Sequence, residues 1–340
     1  MDIKEIFKKT TANDVISELK SRRFIPLPDV RHANAVLDPK QHKINDVILR
    51  PDKKVRVDND NNADSAQKVI TTDGETANFK TEKVARIALA LQKLIINRAV
   101  SFLFGNPVDY NSTPDNGKQE IIAKAIRRIL YDVKSNSLNR RVARAMFGYK
   151  ECAEMWYPVA APNKTYGFDS KFKLKCAVFS PMFGDILYPY FDETGDMTAF
   201  SRAFSRLSED GKTSEDYFET YTATEHWLWK NGANGYDVVE GYPQKVAIGK
   251  IPVVYGHQPY FETQDVDSLI DRLETLLSNF ADTNDYHASP KIFVTGQIKG
   301  WAKKGESGAV IEGEDGATMN YVSWQNAPEA VKLEIETLLK

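Results

Sequence analysis

Between residues 265 and 285 the chain sets six carboxylates, Asp265, Asp267, Asp271, Glu274, Asp282 and Asp285, against a single cation, Arg272. Paired carboxylates can share a proton for acid–base work or hold a divalent cation. Here the spacing is that of a helix surface: Asp267/Asp271 stand at i,i+4 and Asp271/Glu274 at i,i+3, where like charges repel mildly. Val266, Leu269/Ile270, Leu273, Leu276/Leu277 and Phe280 alternate by threes and fours through the same stretch. That pattern predicts one helix over about 264–288 with a single buried stripe. On such a helix the carboxylates read as a solvated or channel-facing surface. A nucleic-acid-processing enzyme using the carboxylates of 265–285 is the alternative, and no metal-binding spacing supports it.

A second chemistry-bearing group is basic. Lys299, Trp301, Lys303 and Lys304 stand among Gly296, Gly300, Gly305 and Gly308. Tryptophan and cations on a glycine-flexed loop suit a docking surface for another protein or for a DNA backbone. The competing use of Trp301 is to fill the core of a small module. Other motifs fail on spacing. Asp58 to Asp64 alternates oxygen ligands like a calcium loop, but its sixth position is Ala63 and its twelfth Val69, where glycine and a bidentate glutamate belong. Gly211-Lys212-Thr213 ends like a phosphate-binding loop, yet the upstream glycine falls at Arg206, which leaves a turn between strands. The five histidines are scattered, and there is no Cys-x-x-Cys, Gly-x-Ser-x-Gly or Gly-x-Gly-x-x-Gly. No catalytic residue, metal ligand or cofactor is assigned, and the expectation is a non-enzyme.

The elements that must position these groups follow from composition and periodicity. With 340 residues and 42% of them hydrophobic, the chain can bury two or three domain cores. A net charge of −2 gives no global basic footprint, so any nucleic-acid contact must be local. Cys152 and Cys176 read as reduced core residues. Met1-Asp-Ile-Lys-Glu lacks the basic and apolar regions of a signal peptide. The apolar run Ile87–Leu103 is broken by Gln92, Lys93, Asn97 and Arg98, so no membrane span is expected.

Residues 2–20 predict an amphipathic helix that restarts around Thr10–Asp14. Residues 22–80 read as irregular, with strands at Asp46–Arg50 and Gln67–Thr71. Residues 81–104 predict a strong helix, followed by a strand at Val108–Tyr110 and helices over Lys118–Val133 and Ser137–Phe147, the last broken at Gly148. Strand and turn signals fill about 165–255. The long acidic helix, a small module over 290–325 and a helix from about Pro328 complete an α+β chain. No residue that ends a helix precedes Lys340, so the last helix reads as cut short.

Several stretches, in order, resemble the portal (head–tail connector) proteins of tailed bacteriophages, in the SPP1-like family. His42-Lys-Ile-Asn-Asp-Val-Ile-Leu-Arg50 is similar to the family's early Gly-x-His-x-Ile-Leu-x-Arg stretch, with the glycine missing. Val84 to Val108, ending Phe-Leu-Phe-Gly-Asn-Pro-Val, is similar to its most recognisable block. Arg144–Trp156, Ser180–Pro189 with Gly195 and Ala199–Arg202, and Gly249–Val254 before the acidic helix resemble later blocks, so the likeness covers most of residues 40–340.

The resemblance implies a portal-like architecture. Residues 1–80 are then an N-terminal helix and irregular arm, 81–262 a mixed wing-like body, 263–289 a first stem helix, 290–326 a clip-like module, and 327–340 the start of a second stem helix, with the C-terminal crown absent. It also implies a self-assembled ring, usually a dodecamer, at one capsid vertex of a virion made in the bacterial cytoplasm. Double-stranded DNA passes through the ring during packaging and ejection. The implied partners are a terminase motor, a head–tail adaptor and capsid or scaffold proteins, with no membrane. A non-ring virion scaffold or adaptor protein is the other alternative. In this frame Asp267, Asp271, Glu274 and Asp282 are candidates to face the channel, where a like-charged wall keeps DNA from sticking. Lys299, Trp301, Lys303 and Lys304 are the candidate docking surface of the clip.

Overall fold

Thr11 accepts a hydrogen bond from the backbone N–H of Asp14 and so restarts the N-terminal helix where the sequence offers a cap. The result is a one-turn α1 (Ile3–Ile6) followed by α2 (Ala12–Ser21), with elements numbered along the chain. The computed structural model describes residues 3–9, 11–57, 67–70, 76–246, 248–288, 291–296, 298–299, 312–313, 316–322 and 329–339. The chain folds into two units: residues 1–37 with 90–265, and residues 38–89 with 266–340. Both mix helices with sheets whose strand pairs, among the described residues, are antiparallel.

In the first unit α3 (Val30–Leu37), α4 (Leu91–Leu103), α5 (Gly117–Asp132) and α6 (Ser135–Tyr149) form a helical layer. Ile96, Val100 and Ala143 are its buried centre, and Tyr149 donates its hydroxyl to Asn34 at 2.7 Å, tying α6 to α3. Two sheets follow. One orders β12 (Val253–His257), β4 (Glu151–Asn163) and β5 (Ser170–Phe179). The larger runs β10 (Gly235–Val238), β9 (Glu225–Gly232), β8 (Ser214–Thr222), β7 (Met197–Leu207) and β6 (Ile186–Phe191), with β11 (Gln244–Lys245) also on β9. Ile6, Val15, Ile16 and Leu19 pack on Tyr188, Tyr190, Phe218 and Trp229 of this sheet. Each such side chain contributes roughly 1.5–3 kcal/mol by leaving water. The turn at Ser208–Thr213 joins β7 to β8, which is the use expected for Gly211-Lys212-Thr213.

Two ionic clusters are buried in this unit. Glu151 accepts hydrogen bonds from Arg23 and from the Tyr255 hydroxyl, both at 2.8 Å. Arg202 lies between Asp185 and Glu219, with its guanidinium 3.6 Å from the ring centre of Phe179 and 3.9 Å from that of Phe204. Both cysteines are unpaired, and burial pushes each thiol up to about 12. A thiol reagent at pH 8 therefore leaves both unlabelled in the native protein and labels both in denaturant; rapid native labelling of Cys152 would contradict this packing.

The second unit contains β1 (Lys53–Val57), β3 (Thr76–Glu82) and β2 (Gln67–Ile70), ordered β1-β3-β2. It also holds the long α7 (Asp267–Ala288), paired strands β13 (Lys291–Thr295) and β16 (Thr318–Val322), the short pair β14 (Ile298–Lys299) and β15 (Glu312–Gly313), and α8 (Glu329–Leu338). Helices α7 and α8 pack together, and Arg272 reaches Glu334 at 3.0 Å.

Four expectations are corrected. Residues 83–90 form neither helix nor strand, and the helix begins only at Leu91. Asp46–Arg50 is a turn, because the Asp46 carboxylate accepts from the N–H of Ile48 and its carbonyl from that of Arg50, leaving Ile48 85% exposed. Val108–Tyr110 pairs with no strand. Gly148 lies inside α6, where a Cβ would come within 3.2 Å of Leu37, and the helix ends instead at Lys150, whose φ is 71°. Helix α3 arises within residues read as irregular. The calcium-like stretch at 58–64 lies outside the described residues.

Candidate functional site

Helix α7 organises the second unit. Ile270, Leu273 and Leu276 are buried, as the apolar stripe predicts. Beside that stripe Glu274, Ser278 and Asp282 stand one turn apart. Each accepts a hydrogen bond from the backbone of the segment 83–89: Leu89 N–H to Glu274 Oε1 at 2.7 Å, Ile87 N–H to Ser278 Oγ at 2.9 Å, and Ala85 N–H to Asp282 Oδ1 at 2.7 Å. Geometry explains the match. Two residues of extended chain advance about 6.6 Å. Four residues of helix advance about 6.0 Å. Alternate N–H groups spaced in this way meet every fourth side chain of a helix, and three N–H groups of the segment find acceptors without a sheet.

The ends of this ladder are reinforced. His42 is buried and places its Nδ1 2.6 Å from the same Glu274 Oε1. Arg50 donates to Asp282 Oδ2 and to Asn279, each at 2.8 Å, and to the Ala85 carbonyl at 2.9 Å. Asp52 accepts from Val84 N–H and from Arg86, and these bonds hold its carboxyl below the ordinary range. Lys43 pairs with Asp271 at 2.6 Å, and that hydrogen bond raises the lysine above its ordinary value.

The six-carboxylate face thus divides. Asp271 is half-exposed, and Asp267 begins the helix. Glu274 is 1% exposed, and Asp282 is largely covered. These two do not form a solvated wall in this unit: the backbone donors of 85 and 89, with His42 and Arg50, occupy them. Sequence reasoning missed His42, Arg50 and Ser278 as partners. The visible signal was the i, i+4, i+8 series of Glu274, Ser278 and Asp282, three side-chain acceptors on one helical line. Lys299 lies in β14 opposite Glu312, while Trp301, Lys303 and Lys304 fall outside the described residues.

Among the described residues no group of His, Cys, Asp or Glu could hold a metal ion, and no helix is long and apolar enough to cross a membrane. The model of one family, described as phage portal protein, SPP1 Gp6-like, matches residues 52–340. No curated protein matches the chain.

Proposed function

Because the chain belongs to the SPP1 Gp6-like family of phage portal proteins, we propose that it is the non-enzymatic subunit of a ring that conducts double-stranded DNA at a capsid vertex. In this role it serves packaging with a terminase motor, joins head to tail through an adaptor, and passes DNA at ejection. The observation that carries this reading is the family match across residues 52–340, which includes the strap-and-helix arrangement of the second unit. Helix α7 is assigned as the first stem helix, α8 as the second, and the β13/β16 pair with Lys299, Trp301, Lys303 and Lys304 as the clip that docks motor or adaptor. The wing corresponds to the helical layer and sheets of the first unit.

A homo-oligomeric ring needs two different faces on each subunit that meet head to tail. Exposed apolar residues are available for this use, among them Ile121, Ile122 and Ile126 on α5 and Val47, Ile48 and Leu49 in the turn before β1. Light scattering and negative-stain images of the protein should give rings with a central hole; a monomer would count against the reading. The channel-facing role is proposed for Asp267, at the start of the helix, and for Asp271, which is less covered than Glu274 and Asp282 although it also pairs with Lys43. Lysine at both positions is expected to slow DNA passage several-fold in a packaging assay while rings still form, and unchanged packaging would remove the acidic wall from the mechanism.

A further inference from the structure

Charge is distributed unevenly along a chain whose net charge is only −2. Residues 91–150, the three helices α4, α5 and α6 with their connections, hold eleven Lys/Arg against four Asp/Glu. Helices α4 and α6 contain no carboxylate at all: Lys93 and Arg98 stand on one, and Arg140, Arg141 and Arg144 on the other. All five cations are exposed. The two helices pack together, and polar contacts join them. Arg144 Nε approaches Asn97 Oδ1, beside Arg98, at 3.4 Å, and Arg140 donates twice to the Phe104 carbonyl at 3.1 and 3.0 Å. Neither contact neutralises a guanidinium. A single-sign field of this kind repels itself, and the protein supplies no counter-charge within the pair of helices.

We propose that the exposed face of α4 and α6 is a second nucleic-acid surface, one that binds the phosphate backbone of duplex DNA outside the acidic α7. Four of the five cations are arginines, whose planar fork suits phosphate oxygens. Helix α4 also exposes Leu94, Phe102 and Leu103, and α5 exposes Ile121, Ile122 and Ile126, so the choice of a polyanion rests on the absence of any carboxylate from α4 and α6. The two surfaces then act oppositely on the same polymer: α7 lets DNA slide, and the helical layer holds it. The inference does not depend on ring formation, since it is drawn from one unit of one chain.

The test is binding of a labelled 30-base-pair duplex of arbitrary sequence to the whole chain as salt rises from 50 to 200 mM. Five phosphate contacts predict a slope of log K against log salt near −4.5, hence about a 500-fold loss over that range. The variant Lys93→Gln/Arg98→Gln/Arg141→Gln removes three exposed cations and is expected to make the slope shallower by about 2.7. A control, Lys8→Gln/Lys171→Gln/Lys212→Gln, makes the same change in net charge elsewhere on the first unit and should leave the slope alone. A wild-type slope shallower than about −1, or a control that loses as much as the layer variant, overturns the proposal. Displacement of the duplex by polyglutamate of equal charge also overturns it, because the face would then take any acidic chain. Negative-stain images of the layer variant separate this from the ring reading: weakened DNA binding with rings or oligomers unchanged supports the site, and weakening seen only with loss of assembly refutes it.

Discussion

Arg202→Ala is expected to lower the unfolding free energy by about 3–5 kcal/mol, because it strands two buried carboxylates without their cation. Arg202 Nε donates to Glu219 at 2.7 Å and Nη1 to Asp185 at 3.3 Å, and all three residues are buried. The guanidinium also fills the space between Phe179 and Phe204, so alanine loses packing as well as charge. The environments of the two acids differ. Burial raises the Asp185 carboxyl above its ordinary value despite Arg202. For Glu219 burial also pushes upward, but the hydrogen bond from His226 and the Arg202 charge outweigh it, and the group ends below its ordinary 4.5. The signs of linkage are therefore opposite. Glu219 contributes stability that is present above its unfolded pKa and lost as pH falls below about 4.5 through its lower folded value. Asp185 contributes stability that is present at low pH and lost as pH rises from 3.8 through its higher folded value. Urea unfolding of wild type and variant at pH 7 checks the first claim, and a loss under 1 kcal/mol would mean the cluster is hydrated. Arg202→Lys should recover part of the loss, since lysine restores the charge but neither the fork nor the stacking.

Glu274→Ala is expected to cost about 2–5 kcal/mol in the second unit, from two buried donors left without an acceptor. His42 and the Leu89 N–H both meet Oε1, while Oε2 has no hydrogen-bond partner among the described residues. Glutamine can present its carbonyl at the Oε1 position and keep both bonds, so Glu274→Gln should lose much less than alanine. Hydrogen exchange separates the ladder from a general loss of stability. With alanine at 274 the Leu89 amide should exchange at least tenfold faster, with Ile87 and Ala85 following in order of distance from the lost rung. Ser278→Ala should release Ile87 alone, at about 1 kcal/mol. Uniform acceleration across the unit would show that the segment is held by burial and not by its hydrogen bonds.

Local pattern was sufficient where local interactions decide. The Thr11 cap, the period of α7 and α8, and the alternating strands from β4 to β9 were legible because each is satisfied by neighbours in sequence. So was the Gly211-Lys212-Thr213 turn. The portal resemblance was legible as well, since it rests on the order of short blocks, and the family match covers residues 52–340, which hold every block but His42–Arg50. Of the candidate site, the acidic helix was found, but the roles of its carboxylates were not.

Those roles, and the largest misreading of structure, have one cause. Val84-Ala-Arg-Ile-Ala-Leu-Ala90 has helical period and helix-favouring residues, worth a few tenths of a kcal/mol each. Against that small preference stand three backbone hydrogen bonds to side chains 185 to 197 residues away, two of them to carboxylates. By itself the amino-acid sequence determined which helices and strands could form, the family, and the uneven placement of charge. Only the tertiary structure decided that residues 83–90 stay out of the helix and that Glu274 and Asp282 turn inward. Acceptors so distant in sequence leave no local periodicity to read, yet their bonds outweigh the local propensity they oppose.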